Sequence, residues 1–434
     1  MTIRFDDAWY AALGIADEIA SNPIDVVVVR DLLGRVSLVV DDRNSSIDSQ
    51  TISAVRRHLV ERAGHFAGAQ VISMATDLIA PDQVVGPSRD LIVRQDRGAG
   101  RGQVAVLERQ VVGADWERIN DRPPRNRVSL YGFRGGVGRS TATFVLAQHF
   151  ASEQKCVLVV DLDLESPGVG SLLQEPAELP EHGVVDFLVE AAVGNEADLE
   201  LVARSQVTHG QGNGEVWLAP ASGRPRPRYD YLSKLNRIYV GVGTQSFGDR
   251  LSHAVTACEN QVTLKSRPPD VILLDSRSGV HDIAAVAITQ LSDLALLFAT
   301  DSADTWAGYR ALFGEWMLPP QRATLIRDRL RMVAAFVPAQ SEDAYLGAFR
   351  DHAQACFAET LYDNVSADDA GNLAAFNPAP EDTDAPHSPL PILFSSDLVG
   401  LDTSTSRDWS RSDLVGAAYR RFIDGVSNLL DGEE

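Results

Sequence analysis

Residues 127–141, RVSLYGFRGGVGRST, contain the residue types that bind a phosphate chain. Glycines allow backbone N–H groups to turn inward around a phosphate, and the N-terminus of a following helix adds partial positive charge. A cation and a Ser or Thr hydroxyl then contact the outer phosphates and Mg²⁺. The chain supplies these groups in that order, as Gly135, Gly136, Val137, Gly138, Arg139, Ser140 and Thr141. The segment therefore predicts a phosphate-binding loop.

Two positions of this loop differ from the common pattern G-x-x-x-x-G-K-[ST]. Phe133 stands in place of the first glycine, and Arg139 stands in place of the lysine. A guanidinium is larger, planar and forked, whereas an ammonium is a compact point charge. We expect Arg139 to neutralise phosphate charge but to weaken the close placement on which phosphoryl transfer depends. Taken alone, the segment also fits a glycine-rich turn that binds nothing.

Carboxylates follow two further apolar runs. The run that begins at Cys156 ends in Asp161 and Asp163, and the run VILLD ends in Asp275. Asp161 lies 22 residues after Arg139, a distance that one helix and a turn fill, which predicts a strand–helix–strand unit. The acids then lie at the carboxyl edge of the sheet, where open α/β sheets bind ligands and where an Asp holds the water shell of Mg²⁺. Capping of a following helix is the alternative for each Asp alone.

The elements that position these residues alternate between helical and strand patterns. Further helices are predicted over 142–154, 182–194 and 249–262, a helix and then a strand over 282–300, and strands over 214–223, 331–339 and 389–396. This order predicts an α/β fold, a doubly wound and mostly parallel sheet of the P-loop NTPase type. The amphipathic pattern near the C-terminus predicts a helix that packs on the sheet.

The sequence predicts three divisions of the chain. Residues 1–120 form an N-terminal α+β accessory or interaction domain, with strand-like runs and no catalytic constellation. Residues 121–127, DRPPRNR, form a linker, and residues 128–434 form the P-loop domain. Residues 363–389 contain six acids and neither Lys nor Arg, which predicts a flexible acidic loop.

Composition limits the classes of function. The net charge of −21 opposes nucleic-acid binding through the overall field. The sequence contains no run of 18 apolar residues, so it predicts no membrane-spanning helix. The first residues lack the pattern of a signal peptide. The three cysteines lie about a hundred residues apart, so they predict no metal cluster. We expect a cytoplasmic protein.

The three motifs together resemble the ParA/MinD superfamily, the deviant-Walker P-loop ATPases, over about residues 125–430. The loop of that family reads KGGxGK-[ST], and here it reads Arg134-Gly-Gly-Val-Gly-Arg139-Ser140. The D-x-D motif of the family is similar to Asp161-Leu-Asp163, and its Walker B strand is similar to VILLD.

One branch of the family is closer, because its loop reads KGGVGR-S-T and its Walker B strand continues D-S-R. Arg139-Ser140-Thr141 and Asp275-Ser276-Arg277 match these features. For Arg277 two interpretations stay open. It senses the γ-phosphate or pairs with Asp161 or Asp163, or it forms a salt bridge that only fixes the loop.

The resemblance implies ATP and Mg²⁺ as cofactors and a role for each matching residue. Arg139 would contact the β- and γ-phosphates, and Thr141 would contact the α-phosphate. Asp163 would position the attacking water. Arg134 would reach across a dimer interface to the partner's nucleotide, as an arginine finger in trans. The groups implied for the metal and its water shell are Ser140, Asp161 and Asp275.

The resemblance implies a molecular switch with slow or partner-stimulated ATP hydrolysis, which controls homodimerisation or the binding of a protein partner. A nucleotide-binding structural or adaptor subunit without turnover, within a multiprotein assembly such as a defence or signalling system, is the alternative. A DNA-partition ATPase is a third reading, which the acidic charge disfavours. Base specificity stays open, because Phe336-Val337-Pro338 stand where the family has an Asn that helps to read adenine.

Overall fold

The structure is a computed structural model that describes residues 3–86, 91–95, 100–109, 113–206, 212–227, 229–239, 245–317, 321–363, 375–398 and 413–432. The chain divides into two compact units, Met1–Ala114 and Asp115–Glu434. The division lies before the linker that the sequence suggests at 121–127. The reason is Trp116, which is buried in the second unit, where its ring lies 6.0 Å from that of Trp316.

The first unit combines two helices with one mixed sheet. Its helices are α1 (Phe5–Ile19) and α2 (Ser49–Ala63), and its strands are β1 (Val26–Arg30), β2 (Val36–Val40), β3 (Ala67–Met74), β4 (Leu91–Gln95) and β5 (Val104–Glu108). The strand order is β3-β2-β1-β5-β4. The pairs β1–β5 and β2–β3 are parallel, whereas β1–β2 and β4–β5 are antiparallel. An α+β unit is therefore confirmed.

The second unit is built from strands that alternate with helices. The strands are β6 (Arg127–Gly132), β7 (Cys156–Leu162), β8 (Ala203–Arg204), β9 (Glu215–Ala219), β10 (Val271–Ser276), β11 (Leu294–Ala299), β12 (Leu330–Val337) and β13 (Leu390–Leu393). The helices are α3 (Arg139–Ser152), α4 (Val169–Leu173), α5 (Val184–Ala191), α6 (Tyr231–Leu235), α7 (Phe247–Lys265), α8 (Asp282–Val286), α9 (Ala303–Gly314), α10 (Gln321–Ile326), α11 (Glu342–Ala358) and α12 (Asp413–Asp431). A π-helical turn, Ala287–Leu291, continues α8.

The sheet of the second unit has the strand order β13-β12-β11-β6-β10-β7-β9-β8. Neighbouring strands are parallel, except for the antiparallel pair β8–β9. Apolar side chains cover both faces of the central strands. On β7, for example, Val157 and Val159 pack with α3, whereas Leu158 and Val160 pack with α5 and α7. The predicted doubly wound, mostly parallel α/β sheet is confirmed.

Two segments near the C-terminus pack onto this sheet. Helix α12 lies against it through Phe422, which is buried and meets the ring of Phe298 edge to face. The described part of the predicted acidic loop also packs, since His387 is fully buried and bonded to the Tyr362 hydroxyl at 2.6 Å. This packing differs from the flexible loop that composition predicts, and residues 364–374 lie outside the described residues. None of the described helices combines the length and apolarity of a bilayer span.

Candidate functional site

The glycine loop lies between the central strand β6 and the N-terminus of α3. Gly136 and Gly138 have φ angles of +75° and +80°, in the left-handed region that side chains with a Cβ avoid. Gly132, the last residue of β6, is closely packed, because an added Cβ would lie 2.8 Å from Val137 and 3.3 Å from Cδ of Arg139. Gly132 therefore makes room for the long side chain of Arg139, a role that the loop motif alone does not reveal.

Phe133, which stands in place of the first glycine, points away from the loop. Its ring packs on α9 at Gly308, where an added Cβ would lie 2.2 Å from the nearest ring carbon. The Phe133 amide donates to the Tyr309 hydroxyl at 3.4 Å, and that hydroxyl donates to the carbonyl of Phe298 at 2.8 Å. The missing side chain of Gly308 thus accommodates the additional ring of Phe133.

The two strand-end acids occupy one row of the sheet. Asp161 on β7 pairs in register with Asp275 on β10, so both side chains leave the sheet on the same face. This is the face that α3 covers, because the Val159 and Leu273 side chains, two residues earlier, pack against that helix. Asp161 and Asp275 are 1% and 0% exposed. Two acidic side chains are therefore held together out of water, beside the glycine loop.

Burial is the main cause of altered ionisation in this row. It raises the pKa of Asp161 well above its ordinary value, and the neighbouring charge of Asp275 raises it further. Burial also raises the pKa of Asp275 to about 6, although the nearby Ser140 hydroxyl and Arg139 act in the opposite direction. The pKa of Asp163 is raised by burial too, against the charges of Arg139 and Arg277. The carboxylates therefore favour a cation.

Three oxygens of these carboxylates lack a hydrogen-bond partner among the described residues: Asp161 Oδ2, Asp163 Oδ1 and Asp275 Oδ2. The Gly170 amide and the Ser140 hydroxyl lie near Asp161 and Asp275 and act against burial, because each lowers the pKa of its neighbouring carboxyl group. Buried polar atoms are nearly always paired, so three such oxygens in one place fit a site for a cation or ordered water.

The donor set fits Mg²⁺ that is shared with phosphates. The described residues contain no group of three His, Cys, Asp or Glu side chains that could hold a metal ion alone. Mg²⁺ usually keeps several waters and takes one or two carboxylates together with substrate phosphates. The predicted metal groups Ser140, Asp161 and Asp275 meet here, since α3 begins beside the row and its Thr143 hydroxyl donates to Asp275 at 3.4 Å.

Arg139 lies over the carboxylates and is only 8% exposed. One guanidinium nitrogen donates to the backbone carbonyl of Ser276. The other lies 3.5 Å from Oδ2 of Asp163. The cation of the loop therefore balances the acid to which the resemblance gives the attacking water.

The remaining two arginines pair with other acids of the same chain. The resemblance implies that Arg134 contacts the nucleotide of a partner subunit. In the structure it lies 2.7 Å from Asp304, and both side chains are at least half exposed. Arg277 lies 2.7 Å from Glu165, so its ion pair is with this acid of the loop, as in the second interpretation, and not with Asp161 or Asp163. Asp161 is buried at the end of β7, whereas Glu165 lies on the loop beyond that strand.

Glu165 is a site residue that the sequence motifs do not reveal. Its Oε1 accepts from Tyr239 and lies 3.5 Å from Nε2 of His281, in addition to Arg277. The signal that could have pointed to it is the alternation of acids in the run DLDLE, which continues from Asp161 and Asp163. Glu165 thus connects the loop after β7 with the loop after β10.

The comparisons with known proteins add little to this geometry. No protein-family model matches the chain, and no curated protein matches it. Among solved structures, pNOB8 ParA bound to nonspecific DNA is similar with 14% identity and a TM-score of 0.46, over 72% of this chain and 100% of that one. An ATP complex of a Cyanothece McdA variant is similar with 15% identity and a TM-score of 0.39, over 72% of this chain and 98% of that one. Protein DIP2308 from Corynebacterium diphtheriae is similar with 17% identity and a TM-score of 0.37, over 53% of this chain and 87% of that one.

The second unit has the α/β P-loop NTPase fold. Its glycine loop joins the central parallel strand β6 to α3, and the acids of β7 and β10 end beside that loop. This is the arrangement in which open α/β sheets bind phosphates, at the carboxyl ends of their strands.

Gly308→Ala tests how Phe133 is accommodated. The new methyl group overlaps the ring, so we expect a loss of about 1–3 kcal/mol in the free energy of unfolding. Gly314→Ala, on the same helix with open space around it, should cost nothing. In a double-mutant cycle with Phe133→Ala, the cost of Gly308→Ala should disappear. An equal cost in both backgrounds would contradict the account.

Asp275→Asn tests the ionisation of the row. The folded pKa lies near 6 and the unfolded value near 3.8, so folding takes up a proton between these values and stability falls as pH rises through the window. The variant lacks this penalty, which corresponds to about 3 kcal/mol. In the absence of nucleotide we expect its thermal midpoint to exceed that of the wild type at pH 7.5 and to converge with it at pH 4.

The control is Asp351→Asn, the same change on an exposed face of α11. A variant Asp275→Asn that is less stable than the wild type at pH 7.5 would mean that the charged carboxylate is stabilised in the fold.

Proposed function

We propose that this chain binds ATP with Mg²⁺ and acts as a nucleotide-dependent switch of the ParA/MinD type, with slow or partner-stimulated hydrolysis. The observation that supports this most strongly is the row of buried, unpaired carboxylate oxygens of Asp161, Asp163 and Asp275 beside a glycine loop. A phosphate chain with its cation supplies the charge that these oxygens lack. The loop amides from Gly135 to Thr141 and the N-terminus of α3 would hold the phosphates.

In this proposal each carboxylate has a separate task. Asp161 and Asp275, which are buried, would hold the water shell of the cation. Asp163 is 13% exposed and lies nearest to the open edge, so it orients the attacking water. When bound, Mg²⁺ offsets the charge that develops on the phosphate oxygens in phosphoryl transfer.

Arg139 is the reason for expecting slow turnover. In the structure its guanidinium contacts both the Ser276 carbonyl and Asp163. To neutralise a phosphate, the Arg139 guanidinium has to leave Asp163 or to contact Asp163 and the phosphate at the same time. The same contact favours a second candidate, a nucleotide-binding adaptor subunit without turnover, because a carboxylate that stays paired with Arg139 does not orient water.

DNA binding is a weaker proposal for this chain. One of the similar structures is of a ParA protein bound to nonspecific DNA. Here 60 Asp and Glu residues stand against 39 Lys and Arg residues, and an acidic chain of this kind is repelled by phosphate backbones. A protein partner or a second copy of the chain is therefore the better candidate for the response to nucleotide.

Variants at Arg139 and Asp163 test this function. We expect Arg139→Ala to lose at least about tenfold in Mg·ATP affinity, because it loses a cation on the phosphates. Arg139→Lys should keep the affinity and hydrolyse faster, since the compact ammonium releases Asp163. Asp163→Asn should bind Mg·ATP and not hydrolyse it. Calorimetry and phosphate release by the full chain measure these effects.

Two outcomes would count against the proposal. A wild type that shows no heat of binding with Mg·ATP would refute nucleotide binding. Equal, negligible turnover of wild type and Arg139→Lys, with ATP bound to both, would favour the adaptor over the switch.

Arg134 tests the dimer. The Arg134–Asp304 pair is exposed and so contributes only about 0–1 kcal/mol, which leaves Arg134 free to contact the nucleotide of a second subunit. We expect a dimer of the wild type in Mg·ATP by light scattering and a monomer of Arg134→Ala. Asp304→Ala removes the same ion pair and should still dimerise. Dimers of Arg134→Ala at wild-type strength would contradict this role.

A further inference from the structure

A β-bulge interrupts β12 next to the glycine loop. Ala334 pairs with Pro391 and Val337 pairs with Leu393, so β12 contains one residue more than β13 between these pairs. Phe336 lies in this bulge with a φ of +59°, in the left-handed region. Such a conformation is an outlier for a bulky aromatic residue, and outliers of this kind cluster at ligand sites.

The bulge turns Phe336 out of the core. Its neighbours Ala335 and Val337 are 1% and 0% exposed, whereas Phe336 is 36% exposed. The Phe394 ring, which is 48% exposed, meets it edge to face with centroids 6.2 Å apart. Bulges beside active sites re-aim a side chain. Here the result is a pair of exposed rings at the carboxyl edge of the sheet.

The Phe336 ring lies directly beside the proposed phosphate site. Its Cε1 and Cζ atoms lie 3.8 Å and 3.9 Å from the position that a Cβ of Gly138 would take. Gly138 is the last loop residue before α3. A nucleotide with its phosphates in the loop would therefore have its remaining parts within reach of this ring.

We propose that Phe336, supported by Phe394, stacks on the base of the bound nucleotide, so that the site recognises the face of the base rather than its hydrogen-bonding edge. This inference rests on the proposed function. Two backbone carbonyls that follow Phe336 already accept hydrogen bonds, that of Val337 from the Phe394 amide at 2.8 Å and that of Pro338 from the Ser341 amide at 3.2 Å. Pro338 has no N–H to offer. Stacking accepts every base, since each has a π face.

The ligand class that follows is a nucleoside triphosphate with weak selection of the base. We expect the wild type to bind Mg·ATP and Mg·GTP with affinities within about one order of magnitude of each other. The strained backbone at Phe336 also predicts that Phe336→Gly folds at least as stably as the wild type, because glycine adopts this φ without strain.

The test is calorimetry on the full chain with three ligands, Mg·ATP, Mg·GTP and Mg·tripolyphosphate. For Phe336→Ala and Phe336→Gly we expect the affinities for ATP and GTP to fall alike, on the order of ten- to hundredfold. Tripolyphosphate, which has no base, should bind unchanged. Phe336→Trp should restore both nucleotides. Leu264→Ala, an exposed change on α7, is the control and should alter nothing.

Three results would overturn the inference. Unchanged ATP affinity in Phe336→Ala would remove the stacking role while the proposed function stands. An equal loss for tripolyphosphate would mean that Phe336 acts on the loop through Gly138. A wild type that prefers ATP over GTP by more than about a hundredfold, with the ratio kept in Phe336→Ala, would mean that the edge of the base is read elsewhere. Absence of binding for all three ligands would refute the proposed function itself.

Discussion

The second unit is organised around two carboxylates that the sheet forces together. The parallel register of β7 and β10 places Asp161 beside Asp275 on the face under α3, where water is excluded. Neither has a full set of partners among the described residues, so the arrangement costs free energy in the absence of a cation. Strained conformations that cost free energy in this way cluster at active sites and ligand-binding sites.

The arginines of the site distribute charge around this row. Arg139 covers Asp163 from the loop, and Arg277 is held by Glu165 at the outer edge. Glu165, two residues after Asp163, also contacts Tyr239 and His281, so the loop after β7 is connected by direct contacts to the segment before α7. In this proposal the phosphates compete with Asp163 for Arg139. The loop after β7 would therefore lose a contact when nucleotide binds.

Much of the fold follows from the sequence, because buried strands that alternate with helices leave a strong local pattern. The positions of Asp161 and Asp275 at the ends of two such strands follow in the same way, whereas their roles at the site stay predictions. The sequence could not predict the partners of long side chains, which depend on packing. Phe133 fits because Gly308, 175 residues later, leaves room for it, and Arg277 reaches Glu165 rather than Asp163. The bulge at Phe336 likewise depends on the register with β13, which no local pattern encodes.

Proton release on binding tests the account most directly. Near pH 6 Asp275 is partly protonated without a cation, and Mg²⁺ favours the charged form. Calorimetry of Mg·ATP binding at pH 6, with Mg²⁺ in excess and in two buffers of different ionisation enthalpy, should therefore show a net release of protons that is reduced in Asp275→Asn. Binding without proton release, or with the same release in that variant, would contradict the claim that the buried carboxylates receive the cation of the triphosphate.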